Sequence, residues 1–298
     1  MPPPPRLTQK SRSRPSQPFR GPLLAVDPAV HPVDVVRVDL QAGVVARDVA
    51  ATEEPLEIRL GGRPFVVIMR TPGDDRHLAA GFLLSEQIVR APGDISAMRY
   101  CTEDDGRDAA NVLNVWLDGD AAVRAQVALE GRRHVTANSA CGVCGRRTID
   151  DLLEGSRRVD APLKVFRAVV GGLPTALRAA QQTFELTGGL HAAGLFSRDG
   201  VLVRVAEDVG RHNAVDKVFG AELLAGRVPL GDRMLFVSGR TSFEIIQKAV
   251  VAGVPVVASV SAPSSLAIEL AREANVTLLG FVRGTTFNIY TGAERIEL

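Results

Sequence analysis

Residues 233–275 read RMLFVSGRTSFEIIQKAVVAGVPVVASVSAPSSLAIELAREAN, and this pattern decides the fold class. Two short apolar runs, RMLFVSG (233–239) and VPVVASV (254–260), alternate with two stretches of helical spacing, SFEIIQKAVVAG (242–253) and SSLAIELAREAN (264–275). Brief apolar strands alternating with helices imply an α/β layer with partly parallel strands. Each run enters its helix through a polar loop, SGRTS at 238–242 and SAPSS at 261–265. N–H groups at such helix starts can cradle an anion, helped here by Arg240 and the hydroxyls of Ser238, Thr241, Ser242, Ser261, Ser264 and Ser265. Ordinary helix capping is the competing reading of each loop. Loops that follow neighbouring strands face one crevice, where open α/β sheets bind ligands. Neither loop matches GxxxxGK[ST], so an ATP-hydrolysing phosphate loop is not supported.

Outward from this segment, VTLLGFVRG (276–284) and TFNIYTG (286–292) read as closing strands. Upstream, LPTALRAAQQTFELTG (173–188) reads as one helix. AAGLFSRDGVLVRVAED (192–208) is a hairpin turning at Asp199-Gly200, and NAVDKVFGAELLAG (213–226) is a helix. The first half differs. VDVVRVDL (33–40) and the stretch 43–72 alternate apolar and polar residues and predict strands, with a turn at Gly61-Gly62. Residues 74–89 have helical spacing, with Asp74 or Asp75 as N-cap. NVLNVWLDG (111–119) and AAVRAQVALEG (121–131) read as a second pair of strands. The expected organisation is a disordered Pro/Ser/Arg-rich tail at 1–30 and a β-rich subdomain at 31–135. A mobile CxxC loop with its following helix spans 136–164, and an α/β domain spans 165–298.

Composition narrows the function classes. Thirty-five basic residues balance 34 acidic ones, and aromatic residues make up 5%. A general nucleic-acid binder shows a basic excess and stacking aromatics, so that class is disfavoured. No apolar run is long enough to span a bilayer, and the N-terminus lacks the apolar core of a secretory signal. Three cysteines are too few for a disulfide framework and fit a reducing compartment.

Two of those cysteines, Cys141 and Cys144, form a CxxC in SACGVCGRRTID (139–150). A structural zinc site needs two more ligands. Cys101 is alone, and His134 stands seven residues before Cys141, unlike a ribbon or finger. A thioredoxin-type dithiol needs its CxxC at a helix N-terminus after the first strand of its fold, whereas this one comes in mid-chain with no matching βαβ context. Two inert thiols sit poorly in a loop flanked by Gly142 and Gly145. The remaining reading is a nucleophilic thiolate, favoured by Arg146, Arg147 and a helix start near Thr148. A second polar cluster lies in EDVGRHNAVDKVFG (207–220), where a helix starting near Arg211 or His212 would put residues 212, 216 and 219 on one face. A third lies in GFVRGTTFNIY (280–290), an Arg-Gly turn beside Phe287 and Tyr290 suited to a nucleotide or to a plain hairpin.

Taken together, these motifs resemble the formate dehydrogenase accessory sulfurtransferases, the FdhD family. The resemblance runs through EEPLEIRLGGRPFVVIMRTPGDD, LAAGFLLSE, CGVCG, TGGLHAAGLF, EDVGRHNAVDKVFG, SGRTSFEIIQKA, SAPSSLAIELA and GFVRGTTFNIYTG, about residues 34–298. It implies a cytoplasmic homodimer whose subunit has a three-layer cytidine-deaminase-like α/β (α+β) core and a smaller β-rich N-terminal subdomain. It implies a sulfurtransferase that accepts persulfide sulfur from a cysteine desulfurase. The sulfur passes to the molybdenum of bis-molybdopterin guanine dinucleotide, the bound substrate, for the formate dehydrogenase catalytic subunit; guanine nucleotides should mimic that ligand. By motif match Cys141 carries the persulfide and Cys144 is its partner, while Phe281, Val282, Arg283, Gly284, Thr285 and Thr286 bind the molybdenum cofactor.

Zinc deaminases carry H-x-E and P-C-x-x-C. Here His191 is followed by Ala193 where Glu would stand, and APSSLA replaces the cysteines, so no zinc and no deaminase chemistry are expected. The vacated crevice would hold the nucleotide ends of the ligand, with Ser238, Arg240, His191 and His212 among its lining. A non-catalytic, cofactor-binding chaperone for formate dehydrogenase is the alternative function. Nucleic acid and membrane are not expected partners.

Overall fold

The computed structural model describes residues 27–38, 43–102, 108–132 and 158–297. Strands β1 (Val30–Val38) and β2 (Gly43–Ala51) pair antiparallel as a separate hairpin. Next come β3 (Glu54–Leu60), β4 (Arg63–Arg70), helix α1 (Asp75–Ser85), β5 (Ile95–Thr102), β6 (Asp108–Leu117) and helix α2 (Gly119–Arg132). These four strands form a sheet in the order β4-β3-β6-β5.

The second half holds β7 (Val165–Phe166), α3 (Arg167–Ala180), α4 (Gln182–Thr187), β8 (His191–Ser197), β9 (Leu202–Asp208) and α5 (Arg211–Leu224). It continues with β10 (Arg233–Val237), α6 (Phe243–Ala252), β11 (Val256–Ser259), α7 (Ser265–Glu273), β12 (Thr277–Arg283), β13 (Thr286–Thr291) and β14 (Ile296–Glu297). Six strands form a sheet in the order β13-β12-β11-β10-β8-β9. Strands β10, β11 and β12 run parallel, and β8 lies antiparallel to β10. The parallel part is the segment that the sequence marks as α/β.

The burial pattern explains the layering. Strand β10 is apolar on both faces, with Met234 and Phe236 on one side and Leu235 and Val237 on the other. Met234 and Phe236 join Leu173 and Leu177 of α3 in one cluster. Leu235 and Val237 join the larger cluster, with Leu78 and Leu83 of α1, Val215 and Phe219 of α5, Ile245 of α6, and Leu56, Ile58 and Leu113 of the four-stranded sheet. Helices therefore lie between the two sheets, and α3 covers the far side of the larger one.

Helices α1 and α5 touch backbone to backbone. A Cβ on Gly81 would stand 1.9 Å from the carbonyl oxygen of Asp216, and one on Gly220 would stand 1.8 Å from that of His77. Only glycine permits this approach.

Four expectations need correction. AAVRAQVALEG is helix α2, not a strand. Its small residues Ala121 and Ala125 are buried, whereas Val123 and Val127 point to solvent. The stretch 173–188 is two helices, broken at Gln181, because Glu207 accepts hydrogen bonds from the N–H groups of Thr183 and Phe184 and restarts the chain as α4. Asp74 does precede α1, but in a left-handed conformation (φ 55°) without a side-chain cap, its carboxylate facing His77. Strand β5 and the short β7–β14 pair were not expected. The layering is mixed α and β, consistent with the expected α+β class. Among the described residues no helix is long and apolar enough to cross a membrane.

Candidate functional site

The loops after β10, β11 and β12 meet at one end of the larger sheet. The N–H of Thr241 donates to the carbonyl of Ala262 (3.3 Å), and that of Ser264 donates to the carbonyl of Thr241 (3.0 Å). The N–H of Phe281 donates to the carbonyl of Ser261 (3.2 Å). The start of the antiparallel strand β8 joins the same end: Ser238 donates its N–H to Ala192 and accepts the Ala192 N–H on its hydroxyl at 2.8 Å. The structure thus brings Ser238, Arg240, His191, Phe281 and Arg283 to one rim, the place where an open α/β sheet binds ligands.

His191 opens β8 and is half-buried. A Cβ on Gly239 would stand 3.3 Å from its Nδ1 and 3.7 Å from Cδ of Arg211. Burial and the neighbouring Arg211 and His212 push the His191 imidazole below its ordinary pKa, so it favours the neutral form. His212, in the first turn of α5, lies 3.0 Å from the Ser242 hydroxyl and 3.5 Å from the Glu244 carboxylate. Burial opposes ionisation of Glu244. Hydrogen bonds from His212, Ser242 and its own backbone N–H outweigh it and hold the group at about 2. The two helix starts differ: Ser264 caps α7 through the Ala267 N–H, whereas Ser242 makes no side-chain cap for α6.

The turn 281–286 is a bulged join between β12 and β13. Phe281 has φ 53°, a left-handed conformation uncommon outside glycine, and its ring is partly exposed with the Arg283 guanidinium 6.0 Å from its centre. Arg283, Gly284, Thr285 and Thr286 are exposed. Val282 is 1% exposed and packs in the core, so its side chain supports the turn from within.

Two residues whose roles the sequence left undecided are structural. Glu207 caps α4. Asp208 is fully buried, paired with Lys217 at 2.8 Å, and accepts from the Thr71 and Gly210 N–H groups and from Asn213. Only Arg211 and His212 of that cluster reach the rim. Gly239 escaped the sequence reading, although a glycine between two polar residues after a strand was its signal. Cys141 and Cys144 lie outside the described residues. Cys101 is a free thiol on β5. Among the described residues no group of three or more His, Cys, Asp or Glu side chains is placed to hold a metal ion.

Residues 51–297 match the FdhD/NarQ family. The chain belongs to this family. It is 49% identical over 268 residues to the sulfur carrier protein FdhD of Nocardia farcinica, covering 88% of this chain and 93% of that one. It is 50% identical over 270 residues to the sulfur carrier protein FdhD of Anaeromyxobacter dehalogenans, again covering 88% and 93%. A crystal structure from Desulfotalea psychrophila, described as a formate dehydrogenase accessory protein, superposes with TM-score 0.72 at 23% identity, covering 91% of this chain and all of that one. That likeness establishes a shared fold.

Proposed function

We propose that the protein is a sulfur carrier in formate dehydrogenase maturation, taking persulfide sulfur from a cysteine desulfurase. The observation that carries this reading is the near-50% identity, over most of the chain, to proteins named sulfur carriers. In the first step the Cys141 thiolate attacks the outer sulfur of the donor's persulfide. That S–S bond breaks, the donor leaves as a thiolate, and Cys141 holds the sulfane sulfur without net oxidation.

The acceptor is the molybdenum of bis-molybdopterin guanine dinucleotide, bound as substrate at the rim. Freeing the outer sulfur as sulfide takes two electrons. Attack by the Cys144 thiol on the Cys141 sulfur supplies them, leaving a Cys141–Cys144 disulfide for a cellular thiol to reduce. The rim supports this ligand class. Phosphate groups suit the α6 start and the exposed Arg240 and Arg283, and Phe281 offers an aromatic face for a base. His191, His212 and Ser238 complete the lining. The work belongs to the cytoplasm and to a homodimer, as the family resemblance implies.

The second reading, a cofactor-binding chaperone without sulfur chemistry, draws on the rim itself, whose polar lining among the described residues comes from other side chains. Reconstitution separates the two. Desulfurase, cysteine, this protein and sulfur-free formate dehydrogenase are combined, and activity is measured for Cys141→Ala and Cys144→Ala. Sulfur carriage predicts loss of activation with Cys141→Ala. With Cys144→Ala it predicts a persulfide that forms and is not delivered. Full activation by Cys141→Ala would leave the chaperone.

A further inference from the structure

Helix α2 exposes the residues that a helix usually buries. Its inner face carries Ala121 and Ala125, while Val123 and Val127 are 63% and 65% exposed. β-Branched residues are poorer helix formers than alanine or lysine and gain little where water still covers them. Four residues apart, the two valines stand on one face of the helix. Together with Gln87, Ile88 and Ala128 they line a groove of about 320 Å³.

The groove is preformed. The turn after α1 that carries Gln87 and Ile88 is held by N–H donation from Gln87 to the Leu84 carbonyl (2.8 Å) and from Ile88 to the Leu83 carbonyl (2.9 Å). Arg124 ties this turn to α2: its Nε donates to the Ile88 carbonyl at 2.9 Å and its Nη2 to the Asp94 carboxylate at 3.0 Å. The other charged residue of the lining, Glu86, is an acid. With the Arg124 head group so engaged, the groove suits an apolar side chain of a partner protein better than an anionic metabolite.

Chain length says which partner. Arg132 closes α2, and Cys141 follows nine residues later. Fully extended, that stretch reaches roughly 30 Å, so the Cys141 backbone lies within that distance of the helix end. At about 1.5 Å per residue, Val127 and Val123 stand roughly 8 and 14 Å back along the helix axis. A donor that passes sulfur to Cys141 must bring its own cysteine to that thiol, and a folded donor is itself tens of Å across. Its footprint therefore reaches the side of the molecule that carries the groove.

We propose that the groove of Ile88, Val123, Val127 and Ala128 is the docking site of the sulfur donor, a cysteine desulfurase that seats an apolar side chain there. This names a surface for the partner in the proposed function and rests on that reading.

Two readouts on the full chain test the proposal. The first is the initial rate of persulfide formation at Cys141, followed by mass spectrometry as the desulfurase concentration is raised with cysteine in excess. The double variant Val123→Glu with Val127→Lys replaces the apolar pair by an ion pair that suits an exposed helix. It should raise the half-saturating desulfurase concentration roughly tenfold or more and leave the limiting rate unchanged. Val123→Ile with Val127→Ile should stay near wild type. Loading by a low-molecular-weight persulfide, which needs no docking, should be the same in all three. The second readout is calorimetric binding of the desulfurase to Cys141→Ala, with and without the double change, which should weaken it by the same factor. An unchanged half-saturating concentration overturns the proposal. Slower loading by the small persulfide as well overturns it in favour of a segment of this chain on the groove, and a changed sedimentation coefficient in favour of a second copy. If wild type takes sulfur from neither donor, the sulfur-carrier reading fails, and the binding readout still decides the groove.

Discussion

The seam between α1 and α5 and the rim at the end of the larger sheet share one segment, residues 207–220, and treat charge in opposite ways. In the seam every charge from that segment is matched. Lys217 meets Asp208 at 2.8 Å and donates to the Thr71 carbonyl, and Asp216 meets Lys248 at 2.7 Å and accepts from Ser85. At the rim, Arg211 and the exposed Arg240 have no carboxylate partner among the described residues, and neither does Arg283. The seam pairs its charges, and the rim leaves these guanidinium groups without a carboxylate. Two residues of one helix, Arg211 and Lys217, thus do different work because one faces the crevice and the other the Thr71 loop.

The strongest way to break this contrast is Lys217→Ala. It leaves Asp208 buried without its counter-charge and should cost about 3–5 kcal/mol, read as a fall in the urea midpoint. The double variant Lys217→Met with Asp208→Asn should recover much of the loss. Next comes Gly220→Ala, whose methyl would overlap the His77 carbonyl. It should cost about 1–3 kcal/mol by forcing α1 and α5 apart, without changing nucleotide affinity in what remains folded.

How much of this was legible in the sequence differs between the regions. Strands β10 to β12 and their helices were, because a sheet buried on both faces writes continuous apolar runs. Helix α2 was not, because its buried side is alanine and its exposed side carries Val123 and Val127. β-branched residues at alternating spacing mimic a strand when small residues line the helix face. Of the residues that stand at the rim, Ser238 and Arg240 were marked by the loop pattern, His191 by the family resemblance and His212 by the polar cluster at 207–220. The roles of Glu207 and Asp208 were not, since their partners at Thr71, Thr183 and Phe184 lie far along the chain or in another element. The tight neighbour of Gly239, the His191 ring at 3.3 Å from a Cβ built there, lies 48 residues away in the chain and was not visible in the sequence.

Two smaller effects sharpen the picture of the rim. Arg283→Ala, at an exposed position, should leave stability within about 0.5 kcal/mol of wild type yet weaken guanosine diphosphate about tenfold, the worth of one charge-assisted hydrogen bond. Calorimetry and thermal melts on the same sample check both halves. Glu244→Gln tests the acid side. The carboxylate's pKa falls from 4.5 unfolded to about 2 folded, so its contribution is complete above 4.5 and is lost as pH falls toward 2. Wild type should lose its small advantage over Glu244→Gln across that window, followed by unfolding midpoints at successive pH values.

The central claim is that Cys141 carries sulfur, and intact-protein mass spectrometry tests it most directly. After incubation with a cysteine desulfurase and cysteine, the account predicts one added sulfur atom, located to Cys141 by peptide mapping. It should be removed by a thiol reductant and be absent from Cys141→Ala. A protein that gains no sulfur under conditions where the desulfurase is itself persulfidated would contradict it.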